Sequence, residues 1–247
     1  MAQKIKLLII LSLLFYITGY AQYEVDKIKV SDDIELIKLS GKAYLHTSYY
    51  EIQPYGRIGA NGLLLIDDQE AFLFDSPWDN AQTEILVRFV ADSLHAKVST
   101  FIPNHWHEDC MGGLEYIYSI DVKSYANQMT INIAKEKGLP LPQQGFKDFL
   151  LLKLHDIRVE CYYFGGGHSS DNIAVWIPSE KILFAGCMVK DMESKGPGNL
   201  SDAKIDEWPV TIKKVIEKFP SAKIVIPGHG RHGGKELLEH TLKLLNM

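Results

Sequence analysis

The alternation of apolar and polar positions predicts a chain of short strands interrupted by a few helices. In the first half, strands are predicted at 34–39, 43–50, 62–66 and 71–74, where apolar residues alternate with polar ones between turn residues. From Asn80 to Leu94, apolar residues recur at three- and four-residue spacing behind Asp79, which predicts an amphipathic helix. These elements indicate a hairpin-rich sheet with a helix over one face.

The rest of the chain continues this mixture of strands and helices. A buried strand at 98–103 precedes a polar loop at 104–113, and a strand at 122–125 precedes a helix at 128–137. Further strands are predicted at 149–154, 159–164, 173–177, 182–185 and 223–226, and further helices at 207–219 and 234–245. This order favours an α/β fold of two packed sheets with helices outside, a four-layer αββα sandwich, although periodicity alone does not select it over other α/β layer folds.

The first 21 residues have the pattern of a secretory signal peptide. Two lysines precede an apolar run at 7–17, and Gly19-Tyr20-Ala21 provides small residues for cleavage. A transmembrane helix needs about 20 apolar residues, so the shorter run disfavours a membrane anchor. We therefore expect 1–21 to be removed and 22–247 to form the catalytic domain, located in the periplasm without membrane attachment.

Composition narrows the class of partner. The 247 residues carry a formal net charge of −5, which provides no positive surface for a nucleic-acid backbone. Small molecules are therefore the expected partners, and nothing in the sequence demands an oligomer, so a monomer is the default. The three cysteines, Cys110, Cys161 and Cys187, leave at least one thiol without an internal partner in an oxidising compartment. A metal-bound thiol would explain this, and a Cys110–Cys161 disulfide remains an alternative.

The segment His105-Trp106-His107-Glu108-Asp109 follows the strand predicted at 98–103. Alternate residues of an extended loop point the same way, so His105, His107 and Asp109 are expected to converge. Imidazole and carboxylate are usual ligands of first-row metals. With nine histidines in 247 residues, such alternation seldom arises by chance, and the segment predicts a metal site.

Three other predicted strands are followed by a residue that can bind metal. His168 follows three glycines, Cys187 follows the strand at 182–185, and His229 lies between glycines after the strand at 223–226. Taken singly, each has an ordinary explanation as a turn histidine, a small buried cysteine or a loop histidine. Together with the His-x-His-x-Asp segment they make six donors, which exceeds one tetrahedral zinc. Two zinc ions with open positions for water would use all six.

These residues resemble the metallo-β-lactamase superfamily. Its pattern of His-x-His-x-Asp, a Gly-rich His, a strand-end ligand and a late Gly-His-Gly runs from about Ile34 to the C-terminus. The stretches 104–113, 124–140, 165–177 and 198–203 are similar to class B β-lactamases of the three-histidine, dizinc subclass B1, nearest the CcrA type. The resemblance implies that the first zinc is held by His105, His107 and His168, and the second by Asp109, Cys187 and His229.

The resemblance also implies an activity. It is zinc-dependent hydrolysis of the β-lactam ring of penicillins, cephalosporins and carbapenems, which confers antibiotic resistance. Lys190 matches the family's lysine that pairs with the substrate carboxylate. Asn199 matches the asparagine that donates to the developing oxyanion, and Asp109 matches a carboxylate that orients the nucleophile. A solvated lysine and a turn asparagine are the ordinary alternatives. Tyr49–Gly59 resembles the family's flap, and Asp75 a carboxylate that orients a ligand.

Two rival functions remain. A thioesterase or lactonase on the same fold is one, because a fold hosts many chemistries. Cys187, and Cys110 where such hydrolases carry histidine, argue against it. A structural zinc module is the other, and it is disfavoured because closed structural sites are rich in cysteine, whereas this donor set is rich in histidine.

Overall fold

The computed structural model describes residues 27–246, so the expected signal peptide lies outside the described residues. The first sheet has eight strands arranged in chain order. They are β1 (Lys27–Lys29), β2 (Ile34–Lys38), β3 (Ala43–Ile52), β4 (Gly56–Asp67), β5 (Glu70–Phe74), β6 (Lys97–Ile102), β7 (Lys123–Asn127) and β8 (Gln144–Phe146). Neighbours are antiparallel from β1 to β5 and parallel from β5 to β8.

The second sheet has five strands in the order β13-β12-β11-β10-β9. They are β9 (Phe149–Leu154), β10 (Ile157–Tyr162), β11 (Ala174–Ile177), β12 (Ile182–Gly186) and β13 (Ile224–Pro227). Only β12 and β13 pair in parallel. The helices are α1 (Asn80–Ser93), α2 (Glu108–Met111), α3 (Leu114–Ser119), α4 (Gln128–Lys137), α5 (Trp208–Lys218) and α6 (Glu236–Leu245).

Three apolar clusters define the four layers. One lies between the sheets, where Phe74 of β5 meets Phe184 of β12 with ring centroids 6.5 Å apart. A second packs α1 and α3 on the outer face of the first sheet, and a third packs α5 and α6 on the outer face of the second. Each fully buried Phe or Leu stabilises the fold by about 1.5–3 kcal/mol, so the central cluster fixes how the sheets meet. The predicted αββα sandwich is confirmed.

Local sequence explains where the longer helices begin and end. The Asp79 carboxylate accepts from the amide of Gln82 at 2.7 Å, which caps α1 as predicted. Asn127 caps α4 by accepting from the amide of Met129, and α4 ends at Gly138, whose φ of +68° is in the left-handed region. Among the described residues, no helix is long and apolar enough to cross a membrane.

The structure corrects several predicted elements. The segment 104–113, predicted as a loop, contains α2, and β1, β8 and α3 were not predicted. The strand predicted at 62–66 begins at Gly56, so the flap segment is a hairpin whose arms pair from Tyr49–Gly59 to Ile52–Gly56. Pairing with a neighbour, rather than alternation within the segment, decides these elements.

Candidate metal centre

Three imidazoles converge where the loops after β6 and β10 meet. The His107 Nδ1 atom lies 2.8 Å from Nε2 of His105 and 3.2 Å from Nε2 of His168. His105 and His168 are buried, and His107 is partly buried. The structure therefore brings together the three predicted histidines, each with one ring nitrogen directed at the same point.

The other three predicted donors converge beside them. The His229 Nε2 atom lies 3.1 Å from Oδ2 of Asp109 and 3.4 Å from Sγ of Cys187, and that sulfur lies 3.6 Å from the same Asp109 oxygen. The groups are contiguous, because His105, His168 and Cys187 also have donor atoms within 4.8 Å of one another. All six candidates share one cluster.

The spacing of these donors fits a transition-metal site. Tetrahedral zinc with bonds of about 2.0–2.3 Å places its nitrogen and oxygen ligands about 3.4 Å apart and sulfur about 3.6 Å from them. The distances of 3.4 and 3.6 Å from the Cys187 sulfur match these values, and those between nitrogens, 2.8 and 3.2 Å, are slightly shorter. Imidazole nitrogen, thiolate and carboxylate are also the donor types that zinc accepts.

The convergence of the His-x-His-x-Asp segment does not arise as predicted. His107 is extended, with φ of −67° and ψ of 161°, but it forms the N-terminal cap of α2, and Asp109 lies within that helix. The turn into the helix, rather than strict alternation, brings the Asp109 carboxylate to the second group, while Glu108 is exposed. Similarly, His168 lies in a loop six positions beyond the last residue of β10, Tyr162, and not at a strand end.

Two glycines permit the close packing of this region. A Cβ atom on Gly228 would lie 2.3 Å from the Cys187 sulfur, and one on Gly112 would lie 1.9 Å from the carbonyl oxygen of Trp78. Such distances are far below van der Waals contact, so a side chain at either position would displace Cys187 or α2.

A buried network holds His105 from behind. The Cys110 sulfur lies 3.2 Å from Nδ1 of His105, the ring nitrogen directed away from the cluster. Asp75 is 1% exposed, accepts a hydrogen bond from the backbone amide of Asn104, and contacts the Cys110 thiol. Asp75 therefore acts on His105 through Cys110 and the chain, as an orienting carboxylate would.

The three cysteines are free thiols, which settles the alternative that the sequence left open. Cys110 lies beside His105, whereas Cys161 is buried in the cluster between the sheets. No Cys110–Cys161 disulfide forms. Burial raises the pKa of the Cys161 thiol to about 12, so it is inert.

Asp202 was missed by the sequence analysis. Its Oδ2 atom accepts from Nε2 of His107 at 3.1 Å, on the side of the ring opposite the cluster. The only signal was its place in the segment 198–203 together with Asn199, and a single acidic residue in a polar loop is no pattern.

Electrostatics separate the donors into two kinds. Burial holds the pKa of His105 well below its usual value and, with the Lys190 ammonium nearby, lowers that of His168 to about 3. Burial acts against the ionised Asp109, but its hydrogen bond with His229 and the surrounding imidazoles hold its pKa well below the usual range. In the first group, His105 and His168 are thus neutral imidazoles, whereas the second group contains the Asp109 carboxylate anion, and both donor types suit a metal cation.

Lys190 and Asn199 differ in how the structure places them. Lys190 is 9% exposed, with Nζ 5.4 Å from the centroid of the Trp208 ring, so it is not a solvated surface lysine. Burial lowers the pKa of Lys190, and the neighbouring Cys187, Asp109 and Asp191 act in the opposite direction. Asn199 is exposed, and its Oδ1 accepts from the amide of Ser201 at 3.0 Å, the turn role that was its alternative. The structure therefore brings Lys190 to the cluster and shows no contact of Asn199 with it.

The flap hairpin borders the cluster on one side. The Tyr50 ring stacks on Trp78 with centroids 5.8 Å apart, and Trp78 lies 6.5 Å from the His229 ring. Tyr55, near the tip, is 77% exposed. An apolar rim over a polar floor is the usual form of a small-molecule site.

Comparison with known proteins identifies the family, although no protein-family model matches the chain. The metallo-β-lactamase type 2 of Bacteroides fragilis is 53% identical over 238 residues, which cover 96% of this chain and 94% of that protein. The chain belongs to the metallo-β-lactamases. A metallo-β-lactamase type 2 of a Bacillus species is 34% identical, with 91% of this chain and 88% of that protein covered.

Solved structures agree with this assignment. A metallo-β-lactamase from Pontibacter korlensis has a TM-score of 0.83 and 35% identity, with 86% of this chain and 99% of that chain covered. The fold of the chain is therefore the metallo-β-lactamase fold. The family name implies a bound metal, and in this metallo-β-lactamase the converging histidine, cysteine and aspartate donors form a fitting site for it.

Proposed function

We propose that this chain hydrolyses the β-lactam ring of penicillins, cephalosporins and carbapenems, and so confers antibiotic resistance, with two zinc ions in the metal centre. The observation that carries the proposal is the pair of adjacent donor groups, with three imidazoles in one and a carboxylate, a thiol and an imidazole in the other. Three protein ligands for each zinc leave open positions, which catalytic sites need and closed structural sites lack.

The residues divide the work as follows. His105, His107 and His168 would hold the first zinc, and Asp109, Cys187 and His229 the second. Bound there, zinc supplies an activated water as nucleophile at neutral pH and polarises the lactam carbonyl. Asp109 remains anionic, because the His229 hydrogen bond holds its pKa low, and so it would accept a hydrogen bond from the attacking water and orient it.

Lys190 and Asn199 are the proposed substrate contacts. Burial removes water from the Lys190 ammonium, which lowers its pKa, so the ammonium gains from pairing with the carboxylate that these antibiotics share. Asn199 would donate its Nδ2 to the developing oxyanion, while its Oδ1 stays on the amide of Ser201. Tyr50 and Trp78 provide the apolar wall for variable substituents.

A thioesterase or lactonase is the less favoured reading. The curated relatives that match the chain are named metallo-β-lactamases. The second donor group also contains Cys187 where the sequence pattern of those hydrolases has a bridging aspartate. No observation on the described residues favours a thioesterase, a lactonase or a structural zinc module.

The cellular setting is part of the proposal. The basic start, apolar run and small residues of 1–21 support export and cleavage after Ala21, which would leave 22–247 as a monomeric periplasmic enzyme.

The test is hydrolysis of a carbapenem by purified 22–247, followed by absorbance with and without a chelator. We expect turnover that the chelator abolishes and zinc restores. Asp109→Asn should lose more activity than the roughly 10–100-fold typical of substitutions around a metal site, because it replaces the anionic donor with a neutral amide. The control Glu108→Gln changes the exposed neighbouring carboxylate and should retain full activity.

Two results would contradict the proposal. Turnover that survives the chelator would exclude the metal mechanism. No turnover of any β-lactam with two zinc ions bound, together with activity on a thioester or lactone in a parallel assay, would assign the rival function.

A further inference from the structure

The loop that carries His229 is fastened to the other sheet of the sandwich. Its own strand, β13, ends at Pro227. The backbone amide of Asn61, in β4, donates to the carbonyl of Gly228 at 2.8 Å. The Asn61 side-chain Nδ2 donates to the carbonyls of Pro227 at 2.9 Å and Gly230 at 2.8 Å. These three hydrogen bonds bracket His229 on both sides.

The edge of β4 is open at this point. Strand β5 pairs with β4 only from Leu63 to Asp67, whereas β3 pairs with β4 from Gly56 to Leu65. The backbone groups of β4 before Leu63 therefore lack a strand partner on the β5 side. The His229 loop takes that place and satisfies buried polar groups that would otherwise be costly.

The Asn61 amide is fixed in orientation. Asn61 is 3% exposed, and its Oδ1 accepts from the hydroxyl of Thr47, the residue opposite it on β3, at 2.8 Å. Both Nδ2 protons are used by the two loop carbonyls. A flipped amide would place its oxygen against those carbonyls, so Thr47 and the loop select one orientation.

The imidazole is held from the same strand. The His229 Nδ1 atom donates to the carbonyl of Gly59 at 2.9 Å, which leaves Nε2 to face Asp109 and Cys187. Gly59 and Asn61 are alternate residues of β4, so they present their backbone groups to the same side. Both the path of the loop and the rotation of the ring are therefore set by β4.

We propose that Asn61 is a positioning residue for His229, so that strand β4 sets the affinity of the second metal position, formed by Asp109, Cys187 and His229. The inference rests on the proposed two-metal centre. Asp109 and Cys187 are delivered by α2 and the end of β12, which do not depend on this contact. Loss of the Asn61 amide should therefore weaken one metal position and spare the other.

The experiment is a titration of metal-free 22–247 with Co²⁺ alone, followed by absorption. The charge-transfer band of a Cys187 thiolate on cobalt reports the second position, and the d–d bands at the first equivalent report the three-histidine position. In Asn61→Ala, the Co²⁺ affinity reported by the thiolate band should fall by roughly 10–100-fold, as expected for loss of a residue that orients a ligand. The affinity for the first equivalent of Co²⁺ should be unchanged. Asn61→Asp should do the same, because it sets a carboxylate oxygen against two carbonyls.

Two further variants make the result specific. Thr47→Val removes the hydroxyl that orients the Asn61 amide while keeping the shape of the side chain, so it should give a smaller loss at the same position. Asn127→Ala is the matched control, since Asn127 is 1% exposed and its amide also donates to a loop carbonyl, that of Lys147. It should leave both equivalents at wild-type affinity, and thermal unfolding of the metal-free variants monitors folding.

The inference is overturned if Asn61→Ala binds both equivalents as tightly as wild type, or weakens both equally. A wild-type chain without a thiolate–cobalt band would overturn it too, because no second position would exist to be set. None of these readings uses β-lactam turnover, so failure of the proposed activity is distinguishable. If Asn61→Ala does not fold, the Thr47→Val variant provides the test. The inference is contradicted if Thr47→Val leaves the Co²⁺ affinity of the second position unchanged, or lowers the affinity of both positions equally.

Discussion

His46 shows how a single buried residue limits the conditions in which this fold is stable. It is 1% exposed, and its Nε2 donates to the carbonyl of Asp75 at 3.1 Å. Within the described residues its Nδ1 has no partner, and burial lowers its pKa to about 4. Protonation would therefore place an unpaired charge in the core.

The sign of the resulting pH dependence follows from proton linkage. Unfolded histidine titrates near pH 6.5, so between about pH 6.5 and 4 the unfolded state binds more protons than the folded state. The free energy of unfolding therefore decreases as the pH is lowered through this range. The shift corresponds to at most about 3 kcal/mol lost by pH 4. His46→Gln keeps a donor for the Asp75 carbonyl and should flatten this dependence in denaturant unfolding of the metal-free chain.

The exposed His95→Asn serves as the control for this measurement. It should leave the slope between pH 6.5 and 4 unchanged. An unaltered slope in His46→Gln would mean that other groups, such as the imidazoles of the metal centre, carry the whole acid sensitivity.

Residue type in the sequence was enough to predict the candidate metal ligands, but not the residues that contact and position them. His105, Cys187 and the other candidate donors belong to residue types that can bind metal, so the sequence alone could nominate them, and the structure brings all six together. Asn61 and Asp202 are ordinary polar residues until a partner far along the chain is known. Asn61 meets Pro227 across 166 positions, and no local pattern contains that contact.

At the level of elements, the loop that follows Cys187 couples two proposed roles. Asp202 accepts from His107, and Asn199 lies three residues earlier in the same loop. A carboxylate behind a ligating imidazole fixes the ring and raises its basicity. The loop is therefore anchored at Asp202 to the imidazole of His107.

Asp202→Ala should weaken the first metal position by about 10–100-fold, and Asp202→Asn by less, because an amide oxygen still accepts from His107. Competition with a chromogenic zinc chelator measures this. Asp206→Asn removes an exposed carboxylate four residues along and should leave affinity unchanged. Equal losses in Asp202→Ala and Asp206→Asn would indicate a general effect of charge instead.

Element length decides what periodicity could predict. Strands such as β3 and helices such as α1 span enough residues to show their period, and the sequence located them. The strands β1 and β8 have three residues each and α2 has four, too few for a pattern to repeat. Periodicity in the sequence therefore could not predict the path of the chain from His107 into α2, which brings Asp109 to His229.

For the whole molecule, the metal centre joins its two sheets. His105, His107 and Asp109 follow β6 of the first sheet, whereas the other three donors follow strands of the second. Metal binding therefore links halves that otherwise meet through the apolar cluster between the sheets. A ligand that binds only the folded state stabilises it in proportion to the logarithm of its concentration.

Zinc should raise the melting temperature of the metal-free chain. At 100 times its dissociation constant one ion contributes about 2.7 kcal/mol, roughly 5–10 °C for a domain of this size. Calorimetry across a series of free zinc concentrations measures the effect. Cys187→Ala should lose part of the shift, and a melting temperature independent of free zinc would contradict a metal link between the halves.

The contact of Gly228 with the Cys187 sulfur divides the molecule into positions that can change and positions that cannot. A Cβ atom there would lie 2.3 Å from the sulfur, so any other residue at this position must displace Cys187. Tyr55, 77% exposed at the rim, is under no such restriction. Selection by new antibiotics can therefore change exposed rim residues such as Tyr55 more readily than Gly228, which lies against a candidate metal ligand.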